Sequence, residues 1–258
     1  ALGMKPSPQR PLRTPHSTRP PSQRNLAADL ASARAPASPA KRPAPPKPSV
    51  RGGPEQAPQV VRILGGQWKR TPLTVLSAPG LRPTPSRVRE TLFNWLGQDL
   101  SGWRCVDAFA GTGALGLEAA SRGAAEVVLL ERNPALVAPL RRTIAQLQAT
   151  QVKVECTDAL VALGRMAGGG WDVVFLDPPF LDGDNERVFE QALQAAAGAV
   201  GQTGVAYLES PRAWSDAELA PLGWRAVRRG RAGAVHHSLL QPLPPETAAM
   251  PVVAVASQ

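Results

Sequence analysis

The sequence predicts an α/β fold in which an open, mostly parallel sheet carries helices on both faces. Three observations carry this prediction. Strand-like runs at 103–109, 127–130, 152–156 and 173–176 alternate with segments whose apolar residues recur at helical spacing. Val127–Leu130 and Val173–Leu176 are continuously apolar, as expected of strands covered on both sides in a parallel sheet. Each run is followed by a polar feature: Asp107 with a glycine loop, Glu131, Asp158 and Asp177. Ligands of open α/β sheets bind at the carboxyl ends of the strands.

Residues 1–58 form no part of that sheet. They hold fourteen of the twenty-eight prolines, and ten Lys/Arg against Asp29 and Glu55, a balance of +8. Such a composition cannot bury enough apolar surface to offset chain entropy. A disordered basic arm is expected, with a faint helical tendency at Asn25–Ala35, and it reads either as a nonspecific RNA tether or as an inessential extension. A second segment, 59–97, opens with Val60–Leu64 as a strand. Gly65-Gly66 is a hairpin signal, and Gln67–Arg70 is expected as the return strand. Arg62, Trp68, Lys69 and Arg70 would then make a basic, aromatic ribbon facing RNA, unless Trp68 packs against the domain instead. Gly80–Pro85 is a rigid linker, and Thr84 or Ser86 can cap a helix over Ser86–Leu96. Val88, Leu92, Trp95 and Leu96 fall on one apolar face of it; Arg87 and Arg89 point elsewhere.

The main domain spans 98–241. The strand at 103–109 runs into Ala110-Gly111-Thr112-Gly113-Ala114-Leu115-Gly116, a glycine loop that opens the helix Ala114–Ser121. Glycines admit a ligand close to the backbone, and a helix N-terminus offers free N–H donors. The literal Gly-x-Gly-x-x-Gly pattern also fits a dinucleotide site. Glu131 ends the second strand 20 residues after Gly111, where a carboxylate can accept from ribose hydroxyls. Next come the helix Pro134–Gln148, the strand Val152–Cys156, Asp158 at the turn into Ala159–Met166, and the strand Val173–Leu176. Asp182–Asn185 reads as a solvated turn. A helix over Asn185–Ala197, a strand over Gly204–Glu209 and an antiparallel pair, Gly223–Arg229 with Ala234–Leu240, complete the domain. Residues 242–258 are expected as a disordered tail.

Composition excludes several classes. No apolar run reaches the ~18 residues a membrane helix needs, and the N-terminus shows no signal-peptide core, so a cytoplasmic protein is expected. Cys105 and Cys156 are read as buried thiols. His236 and His237 are adjacent, so on a strand they point to opposite faces, and no metal site is expected. Residues 59–104 carry a balance of +5, whereas 105–258 hold twelve basic against sixteen acidic residues. Positive charge therefore precedes the sheet, which suggests a polyanionic partner or a solvated charged face.

The chemistry concentrates at Asp177-Pro178-Pro179-Phe180. The two prolines remove two backbone donors, so the turn offers carbonyl acceptors beside an acceptor-only carboxylate. With an aromatic face alongside, such a corner fits a planar group bearing –NH2, of which a nucleobase amine is the obvious case. Three other readings compete: a DNA or RNA adenine-N6 methyltransferase, an NAD-dependent oxidoreductase, and a basic RNA-binding assembly factor. No inserted target-recognition domain favours the first, no Tyr–Lys or His pairing supports the second, and the intact row of polar strand ends argues against the third.

From about Val60 to Gln241 the chain resembles the ribosomal RNA small-subunit methyltransferase D family, bacterial enzymes that methylate guanine N2 in 16S rRNA with S-adenosylmethionine. The matching stretches are Arg62–Trp68, Gly80–Thr84, Arg87–Leu96, Asp107–Ala119 and Asp177–Phe180. The second and third are more specific than the glycine loop; the long basic arm is a departure. The resemblance implies a class I, Rossmann-like methyltransferase fold: a seven-stranded sheet with its last strand antiparallel, extended by an N-terminal β-hairpin and helix. It implies that Asp107, Phe109, Gly111 and Gly113 hold the methionine end of the cofactor, that Glu131 binds the ribose and that Asp158 lies near adenine. Asp177 and the Pro178 carbonyl would hold the target amine, and Phe180 would stack on the base. Arg62, Trp68, Lys69, Arg70, Arg82 and Arg87 are the expected RNA contacts. The partner would be 16S rRNA, within a partly assembled subunit, and the protein a monomer.

Overall fold

Val128, Val106, Val174 and Ala206 are register partners across four neighbouring parallel strands, and all four are buried. Their sequence neighbours Val127, Cys105, Val173 and Val205 are buried on the opposite face. Both faces of the central sheet are therefore covered, which explains the continuous apolar runs. The computed structural model of the protein describes residues 60–73, 75, 85–179 and 186–244. The elements are β1 (Val61–Arg62), β2 (Pro72–Leu73), α1 (Ser86–Leu96), β3 (Arg104–Asp107), α2 (Ala114–Ser121), β4 (Glu126–Glu131), α3 (Pro134–Gln146), β5 (Val152–Cys156), α4 (Ala159–Arg165), β6 (Trp171–Leu176), α5 (Glu186–Ala199), β7 (Val200–Ser210), α6 (Asp216–Leu219), β8 (Trp224–Ala232) and β9 (Val235–Pro242).

The seven-stranded sheet has the order β5-β4-β3-β6-β7-β9-β8. Only β9 runs antiparallel to its neighbours β7 and β8. The sheet reverses its winding between β3 and β6, where β3 pairs with both β4 and β6; in doubly wound sheets the ligand crevice lies at such a switch point. One core lies between the sheet and a cover made by α1, α2 and the β1–β2 segment, and includes Ile63, Leu92, Phe93, Leu117 and Phe175. The other lies under α4 and α5, around Leu163, Phe189 and Leu193. Among the described residues no helix is long and apolar enough to cross a membrane.

Several expectations are corrected. Gly65-Gly66 is not a tight hairpin turn and 67–70 is not a strand; β1 pairs with β2 ten residues on, with Val61 opposite Leu73. Ser86 does not cap α1, because it is the first residue of the helix and Pro85 occupies the cap without a side-chain bond; Thr84 lies outside the described residues. Arg89, expected only to point away from the apolar face, is buried on α1 with Phe93, while Trp95 is only partly buried. Cys105 is buried, whereas Cys156 is exposed, because β5 is a margin of the sheet and its last two residues, Glu155 and Cys156, are both exposed. The expected arm at 1–58, Arg82, Phe180, the 182–185 turn and the tail beyond 244 also lie outside the described residues.

Candidate active site

Side chains alternate along a strand, so residues two apart share a face. Asp107 registers with Leu129 and Phe175, and Phe175 with Tyr207, whose rings meet edge-on at 6.4 Å. Two residues beyond Tyr207, Glu209 registers with His237 on β9. Asp177 follows Leu176, the partner of Leu208, and so stands beside Glu209 where β6 and β7 end. Glu131 ends β4 on the other side of the switch point. The sheet thus places Glu131, Asp107, Asp177, Glu209 and His237 along one edge.

Asp107 is buried at 2% exposure. Its Oδ2 accepts the Gly116 N–H at 2.9 Å. Burial pushes its carboxyl up to about 7; the Gly116 and Phe109 backbone N–H groups pull the other way, and Glu131 and Glu209 add to the rise. A Cβ at Gly116 would lie 2.2 Å from Leu129 Cδ2 and 3.1 Å from Asp107 Cβ, so only glycine lets the helix come this close. Glu131 reaches back to the glycine loop: Oε2 accepts the Gly111 N–H at 3.0 Å, and Oε1 accepts the Asn133 N–H at 2.7 Å. Gly111 and Gly113 both have positive φ, 50° and 74°, which suits glycine. Phe109 is partly buried against the second core. Asp158 is exposed and caps α4, accepting Leu160 and Val161 N–H at 2.9 and 3.2 Å. Asp177 is half-buried and Pro178 buried.

Sequence reasoning missed Tyr207, Glu209 and His237 as part of this edge. Tyr207 donates its hydroxyl to Glu209 Oε1 at 3.0 Å, with both side chains buried. Burial, with the Glu209 and Asp177 carboxylates near, pushes the phenol well above its usual range. The available signal was Tyr207-Leu208-Glu209, an i, i+2 pair that a strand puts on one face. His237 is 4% exposed and stacks on Trp95 of α1 at 5.2 Å.

The expected RNA contacts divide. Arg62, Lys69, Arg70 and Arg87 are exposed, and Arg62 donates to the Arg70 carbonyl at 3.1 Å. Trp68 instead packs partly against the first core. The segment carrying these residues is pinned to α2. Glu118 accepts the Leu64 and Gly65 N–H groups, each at 2.7 Å, and Ser121 takes the Trp68 N–H at 2.9 Å and donates to the Gly65 carbonyl at 2.6 Å. Gly66 sits so close that a Cβ would lie 1.8 Å from the Ser121 carbonyl oxygen. Glu118 also pairs with Arg89 at 3.5 Å and Arg122 at 2.8 Å.

Chemically, the edge combines a glycine loop that approaches a helix start, the Glu131 carboxylate tied to that loop, and the buried Asp107 carboxyl, whose surroundings disfavour its charged form. Such a carboxyl would be relieved by a cationic ligand. This donor and acceptor set fits a positively charged nucleoside cofactor.

The profile of the family described as Conserved hypothetical protein 95 matches residues 61–241. The ribosomal RNA small subunit methyltransferase D of Escherichia coli K12 is 40% identical over 181 residues, covering 70% of this chain and 89% of the relative. The protein of the same name from Haemophilus influenzae is 34% identical over 186 residues, covering 70% and 93%. Among solved structures, a T. thermophilus 16S rRNA N2 methyltransferase in complex with AdoMet and guanosine superposes with a TM-score of 0.55 at 26% identity, over 79% of this chain and 53% of that one.

Proposed function

This chain belongs to the ribosomal RNA small subunit methyltransferase D family, and from that premise we propose that it transfers a methyl group from S-adenosylmethionine to the exocyclic N2 amine of a guanine in 16S ribosomal RNA. The observation that carries the reading is the position of Asp177 and Pro178 on the same strand-end edge as the Glu131–Gly111 and Asp107–Gly116 contacts. Donor and acceptor sites then meet at the switch point of the sheet.

S-adenosylmethionine supplies an already activated sulfonium methyl. Asp107 and the loop at Gly111 and Gly113 hold its amino-acid end, Glu131 holds the ribose hydroxyls, and Asp158 lies toward adenine. The difficulty is the nucleophile, because the N2 lone pair is delocalised into the guanine ring. Asp177 and the Pro178 carbonyl accept the two N–H bonds, draw them out of plane and localise the lone pair. When bound, the donor would supply its methyl group to that nitrogen, its sulfur keeping the electron pair of the broken sulfur–carbon bond. The nitrogen is then cationic, and its proton leaves to Asp177 or to water. Positioning and charge stabilisation do most of the work. Phe180 stacks on the base, which must leave its helix to enter. Arg62, Lys69, Arg70, Arg82 and Arg87 carry phosphates, with Trp68 bracing the segment that bears three of them. We place the reaction in the cytoplasm, on a monomer.

The test is methylation of small-subunit RNA with isotopically labelled donor, then nucleoside analysis. N2-methylguanosine is expected. N6-methyladenosine would overturn the assignment in favour of the adenine reading that Asp-Pro-Pro-Phe also admits.

A further inference from the structure

We propose that the margin strand β8 is a second phosphate-binding surface for the ribosomal RNA, with Arg225 and Arg231 as its contacts. The inference rests on the RNA methyltransferase reading above and adds to it the far end of the sheet.

The charge is local. Residues 219–245 hold four arginines, all within Arg225–Arg231, and no Asp, Glu or Lys. The rest of 105–258 holds eight basic residues against sixteen acidic ones. β8 therefore forms a basic margin on an otherwise acidic part of the chain. Register sets its arginines on both faces. Arg225 lies opposite Gln241, two residues from Leu239, on the face that α1 and α2 cover; Arg231 lies opposite His236, on the other face. A polyanion lying along the margin would be gripped from both sides.

The margin lies on the side away from the cofactor. β5, β4 and β3 lead to the residues assigned to the donor, and β8 closes the opposite end of the sheet. Leu176 pairs with Leu208, so Pro178 stands level with Ser210. Ser210 pairs with His236, and His236 with Arg231. Arg231 is thus level with the Asp177–Pro178 corner, three strand spacings or about 14 Å away. A base held in the corner keeps its neighbours' phosphates outside it, and a separation of this size suits the flanking backbone. The margin also adjoins the segment already assigned to phosphate. Trp95 stacks on His237 of β9 at 5.2 Å, and the same helix, α1, bears Arg87 in its first turn.

The side chains have donors to spare. Arg225 and Arg231 are exposed. Arg231 Nε donates to the Gly233 carbonyl at 2.9 Å, which leaves its two terminal nitrogens without a bond among the described residues. Arg225 Nη2 donates to the neutral Gln241 Oε1 at 2.9 Å, so its charge has no counter-ion there. Arg229, by contrast, is paired with Asp216 at 2.6 Å. All the strand's cations are arginines, whose planar fork matches phosphate oxygens as a lysine does not. Charge on a margin strand also deters edge-to-edge pairing, and the test separates the two roles.

The test is binding of 16S ribosomal RNA by the full chain, titrated with salt, for wild type and for the double variant Arg225→Gln, Arg231→Gln. The slope of log K against log salt should fall by about 1.5, since each phosphate contact contributes roughly 0.7–0.9. Affinity for S-adenosylmethionine by calorimetry should stay within about 3-fold. An unchanged slope overturns the proposal. If the variant then self-associates in sedimentation, the arginines serve to guard the margin instead. Should the double variant fail to fold, Arg231→Gln alone carries the test, with a fall of about 0.8. Nucleoside analysis keeps the two readings apart. An unchanged slope beside N2-methylguanosine from wild type sinks this surface alone, whereas N6-methyladenosine from wild type sinks the guanine reading whatever the slope.

Discussion

Glu118 on α2 and Arg122, one turn on at its C-cap, form an ion pair of 2.8 Å with side chains 0% and 6% exposed. The same carboxylate accepts two backbone N–H groups from the segment before β2. Glu118→Ala would leave Arg89 and Arg122 buried without their counter-charge. Loss of one partner of a buried pair costs about 3–5 kcal/mol. Urea denaturation should show that loss, and hydrogen exchange should show the amides of Leu64 and Gly65 opening first.

Asp107 predicts a pH slope. The folded chain keeps a proton on this carboxyl up to pH about 7, whereas an unfolded chain releases it near pH 4. The folded state binds more protons between those limits, so stability falls as pH rises from about 4 to about 7 and is unaffected by this group above. The full difference is on the order of 4 kcal/mol. Asp107→Asn should remove the slope, matching wild type at pH 4 and exceeding it at pH 8 in chemical denaturation. The same variant should bind S-adenosylmethionine more weakly by calorimetry.

Asp177→Ala should lower kcat by about 10²–10³-fold, the effect of deleting one preorganised group that meets developing charge. Cofactor affinity should stay within about 3-fold, because the residues assigned to the cofactor are untouched. Turnover equal to wild type would refute the role of the corner.

Gly66 and Gly97 both have positive φ, 73° and 94°, yet they should differ. Gly97→Ala meets nothing within 4 Å, so it should cost only the backbone strain of its φ 94°, ψ 157° conformation, about 1–3 kcal/mol. Gly66→Ala drives a Cβ into the Ser121 carbonyl and should cost well above that and loosen the docked segment. Thermal melts of the pair decide it.

Arg87, Lys69 and Arg70 are exposed and should act through phosphate. Each change to alanine should weaken RNA binding alike across sequences and reduce the slope of log K against log salt by about 1. A change in base preference without a change in slope would contradict this.

Much of the fold was legible because period and punctuation agree locally. The bounds of Ser86–Leu96, Ala114–Ser121 and Val152–Cys156 coincide with the sequence reading. The failures involve distant partners. Gly65-Gly66 carries a hairpin signal, but its role is set by Glu118, 53 positions from Gly65. Arg89 falls off the apolar face of its helix, and its burial makes sense only once the same Glu118 is placed beside it. At the site, the spacing suggested Glu131 as a ribose ligand and did not announce that its carboxylate accepts the Gly111 N–H. Glu209 did not stand out because a carboxylate late in a strand looks like any other until register sets it next to Asp177.

The brevity of α2 has a mechanical result. Within its eight residues, Gly116 answers to Asp107 at the cofactor edge, and Glu118 and Ser121 grip the segment that bears Arg62, Lys69 and Arg70. Less than one turn separates the first grip from the second. A tilt of this single rod would swing the Asp107 edge and the docked basic segment together, and neither could be re-aimed alone.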